Sequence, residues 1–267
     1  YEIVSLTARE AVLADIRLGD PDRPDLTAKR AVVGLRYRLG LPRIGRVRLE
    51  GARLYASWQD GALSLGALDP LLEPGEGEPG LPDIDLELVD ARALVLTDYG
   101  RVGIKAQGSG RLDDGFSGEL AASAPGLGSE GCRAGGATLY GDVTSEAGAL
   151  SFAGPVRLRE AQCAGLRLAR ADIAARLVVP ASFDALDARF DLAAERIAGG
   201  GGAAARLTGS GRAGWAEGVF NLRHDLAVEG VDAGFGRFAR IEADGALRSV
   251  DGFARSEWDG EVTGEPV

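Results

Sequence analysis

The sequence predicts an all-β protein, an antiparallel meander of short strands with few short helices. Three observations carry this: strict alternation of apolar and polar residues, Asp-Gly pairs set between the alternating runs, and a glycine content of 40 in 267 residues, about 15 % against an average near 7 %.

The alternation recurs along the chain. Ile84, Leu86 and Leu88 interleave with Asp83, Asp85 and Glu87. Val102, Ile104 and Ala106 interleave with Arg101, Gly103 and Lys105. Leu186, Ala188, Phe190 and Leu192 interleave with Asp187, Arg189 and Asp191. A period of two puts alternate side chains on opposite faces, so each run is a strand with one apolar and one wet side. Asp-Gly at 60–61, 114–115, 244–245, 251–252 and 259–260, with Tyr99-Gly100 and Glu217-Gly218, predicts hairpin turns, because a type I′ turn needs positive φ at both central residues.

Helix signals are sparse. Leu65–Leu72 can hold one short turn, cut off by Pro70. The stretch from Ala161 to Val178 is ambiguous, but Gly165 and Pro180 favour strands. The acidic segment EPGEGEPGLP, 73–82, reads as an exposed loop and a candidate sub-unit boundary. AGGGGAAA, 198–205, reads as a flexible turn or a tight corner. Alternation resumes after both, so residues 1–267 are expected to form one elongated β unit, a piece of a longer chain. A loose echo joins Leu49-Glu50-Gly51-Ala52-Arg53 to Leu88-Val89-Asp90-Ala91-Arg92 about 39 residues later, as repeated hairpins would.

Charge and composition exclude several functions. A net charge of −10 with no basic block argues against nucleic acid and against broad adhesion to anionic headgroups. No window reaches the roughly 18 apolar residues of a membrane-spanning helix. His224 is the sole histidine, and Cys132 and Cys163 are the sole cysteines. Those cannot alone make a four-ligand zinc site. The cysteines are either two buried thiols or one disulfide.

Candidate chemistry fails on context. Gly75–Gly80 and Gly209–Gly214 both fit G-x-G-x-x-G. The first carries carboxylates and a proline, and the second lies in strand-like sequence with no helix to follow. Asp20, Asp22 and Asp25 sit among prolines and read as a turn rather than a calcium loop. Asp113 and Asp114 precede Gly115 at a hairpin tip, where no desolvating pocket splits their pKa values. No G-x-S-x-G elbow accompanies His224. No catalytic residue, cofactor or metal is expected, and the protein is not expected to be an enzyme. Trp58, Trp215 and Trp258 read as strand residues at a sheet edge or core.

The apolar face remains. Two sheets could bury it as an ordinary sandwich, or one curved sheet could line a groove for acyl chains. The face is built of Ala, Val and Leu with 6 % aromatics in the whole chain. A sandwich of this length usually carries more large residues at its centre, which tips the balance toward a groove.

The stretch from Val47 to Leu72, VRLEGARLYASWQDGALSLGALDPLL, resembles the AsmA-like proteins of Gram-negative envelopes. Its D-G-x-L-x-L-G-x-L-x-P-L-L phrase spans Asp60–Leu72. After the acidic linker, Leu81-Pro82-Asp83-Ile84 opens a hairpin pair that runs through Leu112. The resemblance covers about residues 40–125 and is closest to the YdbH-type branch. It implies an elongated, curved, repeating β-groove in the periplasm. It further implies an inner-membrane anchor outside this chain, outer-membrane or periplasmic protein partners, and phospholipids moving between the two membranes. Val47, Leu49, Leu54, Ile84, Leu86, Leu88, Val102, Ile104, Leu186, Phe190 and Leu192 are the expected lining. The competing expectations are a non-catalytic periplasmic scaffold for outer-membrane biogenesis with a packed β core, and a carbohydrate-active β enzyme, for which no carboxylate cluster is spaced.

Overall fold

Strand formation follows the alternation almost everywhere. A computed structural model describes residues 1–38, 41–60, 62–71, 80–180, 182, 184–234, 236–250 and 254–267. Among them are 18 strands and one 3-10 turn, in a sheet that is mostly antiparallel. The chain divides into two compact units, one of residues 1–124 with 140–150 and one of 125–139 with 151–267.

The first unit opens with β1 (Glu2–Leu6), β2 (Glu10–Gly19) and β3 (Pro24–Arg38), paired antiparallel. Next come β4 (Leu41–Glu50), β5 (Arg53–Gln59) and the short β6 (Ala62–Ser64). The 3-10 turn Gly66–Leu71, with Pro70 inside it, is the helical turn expected at Leu65–Leu72. Its start is tied to the strand layer by the Ala67 amide, which donates to Asp25 at 2.9 Å. Most of the expected acidic loop, residues 72–79, lies outside the described residues.

The sequence did not announce how β7 (Asp85–Thr97) joins the sheet. It runs parallel to β4 from Arg46↔Asp85 to Glu50↔Val89, then parallel to β5 from Arg53↔Arg92 to Trp58↔Thr97. The long connection from β6 makes this possible, since a parallel pair needs a crossover rather than a tight turn. β8 (Gly100–Arg111) and β9 (Ser117–Ala124) then resume antiparallel pairing.

The second unit is a regular antiparallel meander. After β10 (Leu127–Ser129) come β11 (Cys132–Glu146) and β12 (Ala149–Cys163), whose joined ends at 140–150 belong to the first unit, and then β13 (Leu166–Val179), β14 (Ala185–Gly199) and β15 (Gly202–Ala216). The last three are β16 (Val219–Ala233), β17 (Gly236–Val250) and β18 (Arg255–Pro266). Six of these strands are 15 residues long, about 50 Å at 3.3 Å per residue. Two-residue turns with both φ positive join several of them: Ala164-Gly165, Gly200-Gly201 and Glu217-Gly218. These are the I′ geometry that suits twisted strands. The glycine run at 198–205 is thus a hairpin turn.

Two expected turns are not turns. Asp244-Gly245 lies in the middle of β17 and Asp259-Gly260 in the middle of β18, where Gly245 and Gly260 face one another. A Cβ on Gly245 would meet the Trp258 indole at 2.9 Å, and one on Gly260 would meet it at 2.6 Å. These glycines serve as the floor for an aromatic ring, a role a dipeptide signal cannot distinguish from a turn. Gly61 and Asp251-Gly252 lie outside the described residues.

Cys132 and Cys163 form a disulfide across the open end of the β11–β12 hairpin, with Cα atoms 4.1 Å apart. The bond closes a 31-residue span. Loop-closure entropy for that length is worth about 3–4 kcal/mol. Replacing both residues with serine is expected to lower the thermal midpoint by roughly 10 °C, read by differential scanning calorimetry of oxidised protein.

Candidate functional site

Register fixes which residues share a face. In the first unit Val47 stands opposite Leu86 and Val33, and Leu49 opposite Leu88 and Ala31. Leu54 stands opposite Leu26 and Ala93, and Ala93 opposite Ile104. Val95 stands opposite Val102. One face therefore carries Val47, Leu49, Leu54, Leu86, Leu88, Val102 and Ile104. Ile84 precedes β7 rather than lying in it; its carbonyl accepts from the Leu112 amide at 2.9 Å. In the second unit Leu186, Phe190 and Leu192 stand opposite Trp215, Gly211 and Gly209 on one face.

Both faces hold more than the alternation singled out. Leu13, Ile16, Leu18 and Leu26 extend the first, and Leu222, Leu226 and Leu247 extend the second. In the first, Leu13 and Ile16 fall on either side of a parity break, and in the second the polar His224 stands between Leu222 and Leu226, so a window of strict apolar alternation misses them.

Those breaks are systematic. Asp15, Gly51 and Asp90 in the first unit, and Glu160, Arg196 and Gly230 in the second, all have φ between 51° and 64° except Asp15 at 49°. Each interrupts a strand or strand junction, and the apolar residues sit two before and one after: Leu13 and Ile16, Leu49 and Ala52, Leu88 and Ala91, Ala194 and Ile197, Val228 and Val231. A left-handed residue within a strand bends it, as a bulge does. The buried cluster of the first unit, Ile16, Ala28, Ala31 and Ala52 with Leu13, Leu49 and Ala91 against it, gathers at these breaks. The spacing of 36 and 39 residues from Asp15 to Gly51 to Asp90 accounts for the Leu49/Leu88 echo, and Leu13-Ala14-Asp15-Ile16-Arg17 is a third copy.

Burial on these faces is unlike that of a sandwich interior. Among the described residues, the buried apolar side chains other than Val12, Ile16 and Phe116 are all alanines. Leu49, Leu86, Ile104, Phe190, Leu222 and Leu247 are only partly buried. In a two-layer core the large residues are the most enclosed. Here short side chains are shaded by taller neighbours on their own sheet.

One polar group interrupts the second face. His224 stands opposite Gly211 and Gly245. The Trp258 indole N–H donates to its Nε2 at 3.0 Å, and the two rings stack at 11°. Accepting at Nε2 leaves the neutral ring's proton on Nδ1, which is buried without a partner among the described residues. Trp215 and Trp258 are 42 % and 43 % exposed, so they cover the face without being enclosed by it.

The opposite faces are charged and paired. Arg48 bridges Glu50 at 2.9 Å and Glu87 at 2.7 Å. Arg170 holds the Asp172 carboxyl below the usual carboxylate range by a side-chain hydrogen bond. The Arg111 guanidinium does the same to Asp113. Asp113 and Asp114 sit in a tight turn: the Asp113 carbonyl accepts from Gly148, and the Asp114 carboxylate from the Ala147 amide. The Asp20 carboxylate accepts from the Asp22 and Arg23 amides, closing the expected turn. Gly209–Gly214 runs through the middle of β15; Gly75–Gly80 falls almost wholly outside the described residues.

Long strands that present one partly buried aliphatic face define a class of extended β-sheet protein with an apolar face open to a ligand. Within that class, residues 1–260 match the family model described as YdbH-like, intermembrane phospholipid transport protein YdbH, and the chain belongs to that family. No curated protein and no solved structure matches it.

Proposed function

We propose that the chain is a segment of a bridge-like carrier that moves phospholipids between inner and outer membranes. Acyl chains lie along the aliphatic face while headgroups stay in water. The proposed lining is Val47, Leu49, Leu54, Ile84, Leu86, Leu88, Val102 and Ile104 in the first unit, with Leu186, Phe190 and Leu192 in the second. Movement is passive and needs no covalent step, so the role is non-catalytic. Membership of a family of intermembrane phospholipid transport proteins supports phospholipid as cargo and the cell envelope as location; the periplasm and an anchor in the inner membrane belong to the same proposal.

The observation that carries the reading is the burial pattern: large aliphatic side chains partly open to solvent, with alanines as the enclosed residues. Apolar surface left in that state gains about 25 cal/mol per Å² on contact with hydrocarbon. Mass spectrometry of solvent extracts from purified protein is the test. Stoichiometric phospholipid is expected. Extracts free of lipid, from protein purified without detergent, would reject the proposal.

A further inference from the structure

On the charged face of the second unit, two rows of side chains cross the same strands with opposite logic. One row reads Arg170, Glu195, Arg206, Glu229, Arg240, Glu265 from β13 to β18, each residue directly opposite the next. Charge alternates at every step, and Arg240 bridges Glu229 at 3.4 Å. Such cross-strand pairs stabilise a sheet.

The other row, six residues along β14, reads Arg176, Arg189, Arg212, Arg223. Four guanidinium side chains stand shoulder to shoulder on adjacent strands, an arrangement that like-charge repulsion makes unfavourable. Arg248 stands diagonally beyond them, opposite Asn221 on β17. All five are exposed. In a chain with a net charge of −10, acidic partners are in surplus, yet none of these five closes an ion pair among the described residues. Around Arg212, Arg223 and Arg248 the surface dips into an open depression of about 410 Å³. Asp187, Asn221, Glu257 and Asp259 contribute to its lining, and Gly214, Ala246, Leu222 and Leu247 do so as well.

We infer that the arginine row binds phosphate groups. Guanidinium presents paired donors that match phosphate oxygens, and a bound phosphate would relieve the repulsion the row now bears. Asp187, Asp191, Asp225, Asp244, Glu257 and Asp259 flank the row on the same face. They repel a broad anionic surface and admit a discrete phosphate that reaches between them. The site lies on the face opposite the aliphatic one and does not depend on the transport proposal.

Isothermal titration of the whole chain tests this with two probes: inorganic phosphate, and dihexanoyl phosphatidylglycerol below its micelle concentration. At least tenfold weaker binding in the double variant Arg212→Gln/Arg223→Gln is expected. Loss for inorganic phosphate identifies a soluble phosphate compound, and loss for the lipid alone identifies a headgroup; either supports the inference. The ligand-free thermal midpoint of the double variant is expected to hold or rise, since repulsion is removed. Arg206→Gln, in the alternating row, is expected to lower the midpoint and leave binding intact. Absence of binding by the native chain, equal binding by the double variant, or a lowered midpoint in that variant would overturn the inference.

Discussion

Leu86→Asp with Ile104→Asp is expected to strip phospholipid from the protein while leaving the sheet formed. Both side chains lie on the aliphatic face of the first unit and are partly buried. A carboxylate placed there keeps its hydration as long as the face is open. Against an acyl chain it must lose that hydration, at a cost of several kcal/mol. Each 1.4 kcal/mol is tenfold in affinity, so co-purifying lipid should fall at least a hundredfold. Far-UV circular dichroism should keep its β signature. The scaffold alternative predicts the reverse order, because in a packed core two unpaired charges unfold the protein before any ligand is considered. Loss of the β signature in this variant would therefore count against transport and for a packed interior.

The face itself was legible because its period is two. Wherever apolar and polar residues alternate without interruption, as at Leu86–Leu88 and Leu186–Leu192, the register places them on one side. What escaped was the interruption. Aspartate and glycine tolerate positive φ, so Gly51 and Asp90 carry a faint local signal, visible as the Leu-x-x-Ala-Arg echo, and Asp15 carries it with Ile16 in place of the alanine. Glu160 and Arg196 adopt the same conformation with no local preference for it. Tertiary pairing on both sides imposes it, and no window of neighbouring residues could reveal that. The parallel run of β7 along β4 and β5 was hidden for a similar reason. Its cause lies in a connection, and alternation within a strand says nothing about the direction of its neighbour.

Gly110→Ala is expected to be the most destabilising single substitution on the first unit's apolar face, and the contrast with Gly131→Ala shows why. Both glycines have positive φ, 130° and 80°, so alanine at either meets backbone strain of about 1–3 kcal/mol. At Gly131 strain is the whole effect, since a Cβ there meets nothing within 4 Å. At Gly110 the Cβ would stand 2.2 Å from the Gly115 carbonyl oxygen and 2.8 Å from the Phe116 Cα. Those are backbone atoms and cannot swing aside. Phe116 is itself buried and its amide donates to the Ser145 hydroxyl at 2.9 Å; Ser145 in turn donates to the Arg111 carbonyl at 3.2 Å. Moving the 112–116 turn to admit a methyl group would break this relay between β8, β9 and β11. A loss above about 4 kcal/mol marks the exceptional tail of point substitutions, and Gly110→Ala belongs there. Urea unfolding of both variants, fitted with a common slope, gives the comparison. Equal midpoints for the two would mean that strain alone governs these glycines and that the turn yields freely.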